Sequence, residues 1–275
     1  MKTKTILITG CSSGIGYHCA IALKQRGWRV FATARNDADL AGLKAEGLEP
    51  VYLDYTEPDS IAACANHVLE ATGGKLFALF NNGAYGQPGA VEDLRMDVLR
   101  AQFETNFFGW HDLTNRLIPS MRENREGRII QCSSVLGLIA IRFRGAYCAS
   151  KFALEGLTDA LRLELHNSGI HVSLIEPGPI ESYFQKTGLK HFKAEIDITN
   201  SPHRSAYQQT IARLEGDAVT QRLGPDAVFV KLLRALESPR PRGHYYVTRS
   251  TRMAAFGRRF LPARLFEIIL RRQSG

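Results

Sequence analysis

A tyrosine and a lysine are spaced so that they can act together on one proton. Tyr147 and Lys151 are four residues apart, and side chains with this spacing lie on one face of a helix, one turn apart. Apolar residues recur at every third or fourth position from 147 to 165, which predicts that helix. A nearby ammonium stabilises a phenolate and lowers the phenol's pKa from about 10. The pair therefore predicts acid–base chemistry, in which the phenol donates or removes a proton.

A hydroxyl precedes this pair at the end of a short apolar segment. Residues 127–134 predict a buried β-strand that ends in Ser133 and Ser134. In doubly wound sheets, ligands bind outside the carboxyl ends of the strands. Ser134 is therefore predicted to hydrogen-bond a reacting oxygen, whereas Ser133 is compatible with a simple turn residue.

The N-terminal segment predicts a binding site for the phosphates of a dinucleotide. An apolar strand at 4–9 leads into Gly10, Gly14 and Gly16, and a helical stretch and a second strand at 28–34 follow. Glycines let the backbone approach a pyrophosphate, and a helix N-terminus supplies N–H donors and the positive end of a dipole. The order of strand, turn, helix and strand makes this assignment much stronger than the glycines alone.

The end of the second strand predicts which dinucleotide binds. An acid there binds the ribose 2′-hydroxyl of NAD, whereas an arginine accommodates the additional phosphate of NADP. The strand ends at Arg35 without an acid, and Ser12 is well placed to meet the same phosphate. NADP is the prediction, but Asp37 and Asp39 follow closely and keep NAD as the alternative. Arg35 could also be an ordinary exposed arginine.

Together these motifs resemble the short-chain dehydrogenase/reductase family, in its compact branch of single-domain enzymes. The resemblance covers residues 3–182 by motif. It implies a cofactor turn that contains Gly10, Ser12, Ser13, Gly14, Ile15 and Gly16. Asp54 resembles the family's adenine-contacting acid. Asn82 lies in a segment similar to the family's Asn-Asn-Ala-Gly turn, with the last two residues exchanged.

The resemblance also implies the nicotinamide side and the catalytic residues. Residues 177–182 resemble a turn whose last hydroxyl binds the nicotinamide amide; the family usually has threonine where this chain has serine. The implied cofactor contacts in this turn are Pro177, Gly178 and Ser182, and the implied catalytic tetrad is Asn106, Ser134, Tyr147 and Lys151.

In these implied roles, Tyr147 is the general acid in reduction and the general base in oxidation, and Ser134 hydrogen-bonds the reacting oxygen. Lys151 lowers the pKa of Tyr147 and binds the nicotinamide ribose, so both residues also contact the cofactor. Asn106 links the site to solvent, and the cofactor supplies the hydride.

Strand and helix patterns alternate along most of the 275 residues, a length that suits one large α/β core. We expect strands near 4–9, 28–34, 50–53, 76–81, 128–132, 170–175 and 243–248. The predicted fold is a Rossmann fold with a doubly wound, mostly parallel seven-stranded sheet. Residues 1–255 form a single catalytic domain, in which 183–223 is a substrate lid, and 256–275 is a basic amphipathic tail.

Cysteine, histidine and hydropathy patterns exclude several classes of protein. The five cysteines are scattered without a Cys-x-x-Cys pair, and the eight histidines are dispersed. This predicts no metal site and no disulfide scaffold, and no histidine forms a credible triad with Ser134. The first residues lead directly into a strand, without a signal peptide or a run of about 20 apolar residues. We therefore expect a cytoplasmic protein.

The net charge of +8 is concentrated at the C-terminal end. Residues 241–275 contain eight arginines and one acid, a net charge of +7, which leaves +1 for the other 240 residues. This distribution argues against nucleic acid as a partner. The tail also carries large apolar residues, which would suit peripheral contact with an anionic membrane. A docking helix over the substrate region or at a subunit contact is the alternative.

Two apolar stretches predict the substrate side of the site, 135–146 and 183–223. The second includes Tyr183, Phe184, Phe192 and Tyr207. They favour a hydrophobic carbonyl or alcohol of the retinoid, steroid or fatty-chain type, although simple packing against the sheet explains them equally well. The glycine motif and the segment that ends at Arg35 are similar to those of hydroxysteroid and retinol dehydrogenases.

The predicted function is NADP-dependent interconversion of a small carbonyl compound and its alcohol, with reduction as the expected direction because cells keep NADP mostly reduced. One alternative is a redox sensor that binds NADP(H) with little turnover, and the complete tetrad counts against it. Another is a sugar-nucleotide epimerase or dehydratase, which the short segment after Glu181 disfavours. The resemblance also implies a homo-dimer or homo-tetramer.

Overall fold

Seven parallel strands form the centre of the structure. The computed structural model describes residues 4–215 and 222–273. Its strands are β1 (Thr5–Ile8), β2 (Arg29–Ala34), β3 (Glu49–Tyr52), β4 (Ala78–Asn81), β5 (Gly127–Cys132), β6 (Ile170–Glu176) and β7 (His244–Tyr246). They pair in the order β3-β2-β1-β4-β5-β6-β7, and every pairing is parallel. The predicted fold class and all seven predicted strands are confirmed.

The two central strands, β1 and β4, form because their sequences are mostly apolar without alternation. Every residue of β1 and β4 is buried, which is the pattern of a parallel sheet that helices cover on both faces. These two strands are neighbours although they are far apart in sequence. Strand order reverses between them, so their carboxyl ends meet at the switch point where doubly wound folds bind ligands.

Helices connect the strands and cover the sheet. They are α1 (Gly14–Gln25), α2 (Asp37–Ala45), α3 (Pro58–Thr72), α4 (Met96–Phe103), α5 (Gly109–Glu123), α6 (Gly145–Glu164), α7 (Phe184–Glu195), α8 (Arg204–Glu215), α9 (Asp226–Glu237), α10 (Arg249–Phe260) and α11 (Ala263–Gln273). A π-helical segment, Glu104–Phe108, joins α4 to α5, and short 3₁₀ turns occur at Val91–Asp93 and Val135–Gly137. The helix predicted from the Tyr147 pattern is α6.

A small second core holds the predicted lid against the main domain. Phe192 of α7 and Tyr207 of α8 are buried against Ala90 and Ile196. The Tyr207 hydroxyl donates to the carboxylate of Asp93 and accepts from the Ala90 N–H at 2.7 Å. Apolar contact and buried hydrogen bonds therefore both attach α7 and α8. Part of the predicted lid, 216–221, lies outside the described residues.

The last two helices form a pair that we call the C-terminal hairpin, residues 249–273. The Phe266 ring of α11 packs on Gly257 of α10, where an added Cβ would lie 2.7 Å from a ring atom. α11 begins at Ala263, one residue after Pro262. α10 begins at Arg249 and so crosses position 256, where the tail was predicted to start. Within the described residues, no helix combines the length and the apolar character needed to span a bilayer.

Candidate active site

The glycine turn after β1 packs directly on the turn after β4. Gly10 has φ +68°, and a Cβ there would lie 2.4 Å from the Cα of Gly83. The Asn82 side chain donates to the Thr9 carbonyl at 3.0 Å and the Gly10 carbonyl at 3.3 Å. A Cβ at Gly83 would in turn lie only 3.2 Å from the Gly10 Cα. The exchanged order of the Asn-Asn-Gly-Ala segment therefore places a glycine where the two turns touch.

The same glycine turn also meets the turn after β6. Gly14 has φ +59°, and a Cβ there would lie 3.1 Å from the Cβ of Ser182. Gly14 begins α1, so the first N–H groups of this helix lie beside the turn that contains Pro177, Gly178 and Ser182. Backbone with positive φ and no side chain leaves room for a bound group, and the helix N-terminus attracts an anion. These features fit the pyrophosphate and nicotinamide of a dinucleotide.

Arg35 and Asp54 mark the adenosine end of the site. The Arg35 guanidinium lies 3.8 Å from an Asp54 carboxylate oxygen, and 66% of its side chain is exposed. The Asp39 carboxylate accepts from the Asn36 side chain at 2.6 Å, and the Asp39 N–H donates to the Asn36 side-chain oxygen, which caps α2. Ser12 lines the same part of the cavity. Arg35 is thus available to a phosphate, whereas Asp39 already has a partner.

One continuous cavity, of about 510 Å³, contains almost every residue that the sequence singled out. Its lining includes Gly10, Ser12, Ser13, Gly14, Ile15, Arg35, Asp54, Asn82, Ser134, Tyr147, Lys151, Pro177, Gly178 and Ser182. Gly16 and Asn106 do not line it. Gly16 lies behind the turn, where a Cβ would be 2.3 Å from the Gly10 carbonyl oxygen.

Ser134, Tyr147 and Lys151 form one wall of this cavity. The Ser134 hydroxyl accepts from the Leu136 N–H at 3.1 Å and lies near the Tyr147 phenol, whose pKa it lowers. The Lys151 ammonium donates to the Cys132 carbonyl at 2.8 Å and lies 4.1 Å from the centre of the Trp110 ring. This ammonium is 5.8 Å from the centre of the Tyr147 ring. Tyr147 and Lys151 belong to α6 and Ser134 follows β5, so strand and helix together position the three groups.

Burial acts on the two titratable groups in opposite directions. It raises the pKa of the Tyr147 phenol well above its usual range, although the Ser134 hydroxyl and the nearby Arg144 guanidinium lower it. It lowers the pKa of the Lys151 ammonium to about 8, while Cys132 and Glu155 favour the charged form. The implied lowering of the Tyr147 pKa by Lys151 therefore acts against a strong effect of burial, and it stays a prediction.

Asn106 lies in the π-helical segment between α4 and α5 and is fully buried. Its side-chain amide donates to the Tyr85 carbonyl at 2.7 Å, and its side-chain oxygen accepts from the Tyr85 N–H at 3.2 Å. π-helical turns often occur at functional sites because they reorient one side chain. Here the reoriented amide holds the segment after β4, and the predicted link to solvent stays untested.

Aromatic side chains enclose the substrate side. Phe184 of α7 packs edge-on against Tyr147, with 5.3 Å between the ring centres. Tyr183, Leu136 and Ile141 also line the cavity, which agrees with the two predicted stretches. Phe192 and Tyr207 do not line it, because they are buried in the second core that holds the lid. For those two residues, packing is the correct explanation of the apolar pattern.

A buried cluster of ionisable groups lies beside this site, and sequence reasoning missed it. His244 Nδ1 is 2.7 Å from a Glu176 oxygen and 3.8 Å from a Glu155 oxygen. Glu155 follows Lys151 by one turn of α6, and burial raises its pKa to about 7. The hydrogen bond that His244 Nδ1 donates to the Glu176 carboxylate raises the pKa of His244. Only the spacing of Tyr147, Lys151 and Glu155 at four-residue intervals could have indicated that Glu155 lies on the same helix face.

Comparison with known proteins identifies similar sequences over nearly the whole chain. The family model described as short chain dehydrogenase matches residues 4–191. The uncharacterized oxidoreductase YbbO of Escherichia coli is 40% identical over 267 residues, which are 97% of this chain and 94% of YbbO. Human 17-beta-hydroxysteroid dehydrogenase type 1 is 32% identical, over 95% of this chain and 80% of its own length. Retinol dehydrogenase 8 of Bos taurus is 38% identical, over 86% and 79%.

Solved structures with the same fold hold either nicotinamide cofactor. An actinorhodin polyketide ketoreductase with NADPH is 26% identical, with a TM-score of 0.73 over 89% of this chain and 95% of the other. A short chain dehydrogenase/reductase from Burkholderia phymatum in complex with NAD is 25% identical, with a TM-score of 0.78 over 92% of each chain. The fold thus accommodates both dinucleotides, and the residues at the adenosine end must decide between them.

Proposed function

The chain belongs to the short chain dehydrogenase family of oxidoreductases, which act on CH–OH and C=O groups, and we propose that it interconverts a hydrophobic carbonyl compound and its alcohol with NADP(H). The observation that carries this proposal is the wall of the cavity that Ser134, Tyr147 and Lys151 line together. A carbonyl oxygen placed there has a hydrogen-bond donor and a proton donor side by side.

In reduction, NADPH would supply the hydride when bound, and the Tyr147 phenol would donate a proton to the carbonyl oxygen. The raised pKa of Tyr147 keeps the phenol protonated at neutral pH, which suits the role of proton donor. Ser134 holds the oxygen in place. Lys151 is buried beside the cavity, where its ammonium can bind hydroxyls of the nicotinamide ribose and favour the phenolate that remains.

NADP is the proposed cofactor because the end of β2 offers a positive charge and no acid. Most of the Arg35 side chain is exposed at the cavity, and its contact with the Asp54 carboxylate is long at 3.8 Å. The nearest acid after Arg35 that lines the cavity, Asp39, is already hydrogen-bonded within its own turn. A 2′-phosphate would gain a charged hydrogen bond here, whereas the 2′-hydroxyl of NAD would lack a free carboxylate partner.

The proposed substrate is hydrophobic because apolar and aromatic groups surround the space in front of Tyr147. Leu136, Ile141, Tyr183 and Phe184 line it. Similar proteins include those named for a hydroxysteroid and for retinol. The same substrate class fits this chain. A cytoplasmic homo-dimer or homo-tetramer completes the proposal; both features follow from the sequence analysis.

The test is NADPH consumption by purified protein across a panel of hydrophobic ketones and aldehydes, with Tyr147→Phe measured in parallel. The variant removes the proton donor with little steric change, so turnover should fall by about a hundredfold or more while NADPH affinity is retained. Tyr17→Phe is the matched control, because its hydroxyl donates to exposed Glu46 and Tyr17 is not among the residues that line the cavity. Near-normal turnover of Tyr147→Phe would refute the mechanism. Tight NADPH binding without turnover of any compound would favour the redox sensor.

A further inference from the structure

The C-terminal hairpin leaves large apolar side chains uncovered. On α10, Met253, Phe256 and Phe260 have exposed fractions of 63, 62 and 63%. On α11, Leu265 and Ile268 have exposed fractions of 47 and 42%. Their spacing of three or four residues places each set on one face of its helix. We call these five side chains the apolar row, and a row of this size on a surface indicates contact with another body.

The apolar row is the outer face of the hairpin, because other residues already supply the inner face. Gly257 receives the Phe266 ring, and Thr251 and Ala254 are buried toward the body of the protein. The hairpin therefore packs against the protein without using the apolar row, and nothing in the described residues covers the row.

Unpaired arginines border the apolar row. Arg249, Arg252 and Arg259 are exposed on α10, three or four residues from row members, so they lie beside it on the helix surface. Across residues 4–215 and 222–273, no ion pair joins any of these three to a carboxylate. Glu267, the one acid of the hairpin, is paired with Arg271 at 2.5 Å.

A basic groove continues from these arginines. It has a volume of about 850 Å³ and is lined by Lys231, Arg234, Arg240, Arg242 and Arg252, with Glu237 as its one carboxylate. Burial lowers the pKa of Lys231, and repulsion from the neighbouring arginines lowers it further. The groove therefore holds excess positive charge that a bound anion would relieve.

We propose that the C-terminal hairpin docks this protein on an anionic lipid bilayer. The apolar row enters the boundary between headgroups and acyl chains, and the arginines and the basic groove contact the anionic headgroups. A second copy of the chain is a poorer occupant, because two such surfaces placed face to face would bring arginines against arginines. Contact is peripheral, since none of the described helices could cross the bilayer.

The hairpin also contacts the substrate side of the active site. The Arg258 guanidinium donates to the Leu138 carbonyl at 2.6 Å and lies 4.5 Å from the centre of the Phe152 ring. Leu138 belongs to the segment 135–144, whose residues Leu136 and Ile141 line the cavity. Docking would therefore hold this wall of the cavity close to the bilayer. If the substrate is hydrophobic, as proposed above, it can enter from the membrane in which it dissolves.

The test is flotation of the full-length protein with vesicles of phosphatidylcholine alone or with about one third phosphatidylglycerol. The protein should bind only the anionic vesicles, and raising the salt concentration should weaken binding. Phe256→Ser combined with Phe260→Ser, and separately Arg249→Gln combined with Arg252→Gln, should each reduce binding at least about tenfold. Arg100→Gln combined with Arg122→Gln is the matched control, because it removes two exposed arginines from α4 and α5.

The variants' melting temperatures and their turnover of a short water-soluble aldehyde show whether they remain folded. Turnover of a long-chain aldehyde dissolved in anionic vesicles should fall only in the hairpin variants. Equal partitioning of the protein into neutral and anionic vesicles, or undiminished binding by the hairpin variants, would overturn the proposal. If the wild-type protein is a dimer that binds no vesicles, and the phenylalanine variant is a monomer, the apolar row contacts a second copy of the chain instead. Flotation requires no turnover, so its result stands whether or not the proposed reaction is correct.

Discussion

Replacing Glu155 by glutamine should stabilise the fold at alkaline pH and change it little at acid pH. Glu155 lies on α6 and is only 8% exposed. Burial and the Glu176 carboxylate raise its pKa, the Ser133 hydroxyl and His244 lower it, and the net result is a pKa of about 7. The ordinary pKa of this carboxyl is 4.5. The fold therefore favours the protonated acid.

The size of the effect follows from this difference in pKa. Below pH 4.5 the acid is protonated in both states and contributes nothing. Between about pH 4.5 and 7 the unfolded chain releases its proton first, so the free energy of unfolding falls as pH rises. Above about pH 7 the full cost, from a shift of about 2.5 units, is about 3 kcal/mol. Glutamine does not ionise, and at about 2–4 °C per kcal/mol it should raise Tm by roughly 6–12 °C at pH 8.

The assay is thermal unfolding at one protein concentration from pH 4.5 to 8.5. Glu164→Gln is the matched control, because Glu164 is exposed at the end of the same helix, and its Tm difference should not follow the same pH course. The measured quantity is the Tm of Glu155→Gln minus that of the wild type, which should grow as pH rises and level off above about pH 7. A Tm gain of equal size at every pH would refute the reasoning, and so would a loss of stability at pH 8.

Two further predictions concern the cofactor and the lid. Arg35→Asp should lower the preference for NADPH over NADH roughly tenfold or more, because one charged hydrogen bond contributes about 1.5–3 kcal/mol. Fluorescence titration with both dinucleotides measures this preference. An unchanged affinity ratio would exclude Arg35 from phosphate binding. Tyr207→Phe should leave the Ala90 N–H and the Asp93 carboxylate without their buried partner, which should cost about 1–3 kcal/mol of stability. Limited proteolysis of α7 and α8 should then be faster than in the wild type. An unchanged proteolysis rate would show that the lid is held by apolar contact alone.

The fold could be predicted from the sequence because strand patterns and helix patterns alternate along the chain. Short segments rich in apolar residues marked the strands, and each of the first six strands was followed by a helical segment. A parallel sheet needs such crossovers. The strand ends then converge at one edge, which is why Ser134 lines one cavity with Gly10 and Gly14, although these residues are 120 or more positions apart in sequence.

The residues that sequence reasoning placed wrongly or missed depend on contacts between distant elements. Phe192 and Tyr207 have the same apolar character as Phe184, and only the packing of α8 against the 3₁₀ turn at Val91–Asp93 separates them from the cavity. Glu155, Glu176 and His244 are brought together by the pairing of β6 with β7 and by α6 lying across them. The periodicity of a single sequence does not reveal such contacts between distant elements.

The pKa of Tyr147 is a second property that depends on contacts between distant elements. The spacing of Tyr147 and Lys151 correctly indicated a shared helix face, and from it followed the expectation that the ammonium favours a phenolate. Trp110 of α5 and the end of β5 bury that face, and burial favours the neutral form of the phenol and of the amine alike. The Cys132 carbonyl and the Trp110 ring are then what support a positive charge on Lys151. Lys151 can therefore remain largely charged near neutral pH while Tyr147 keeps its proton, which is the state that reduction of a carbonyl requires.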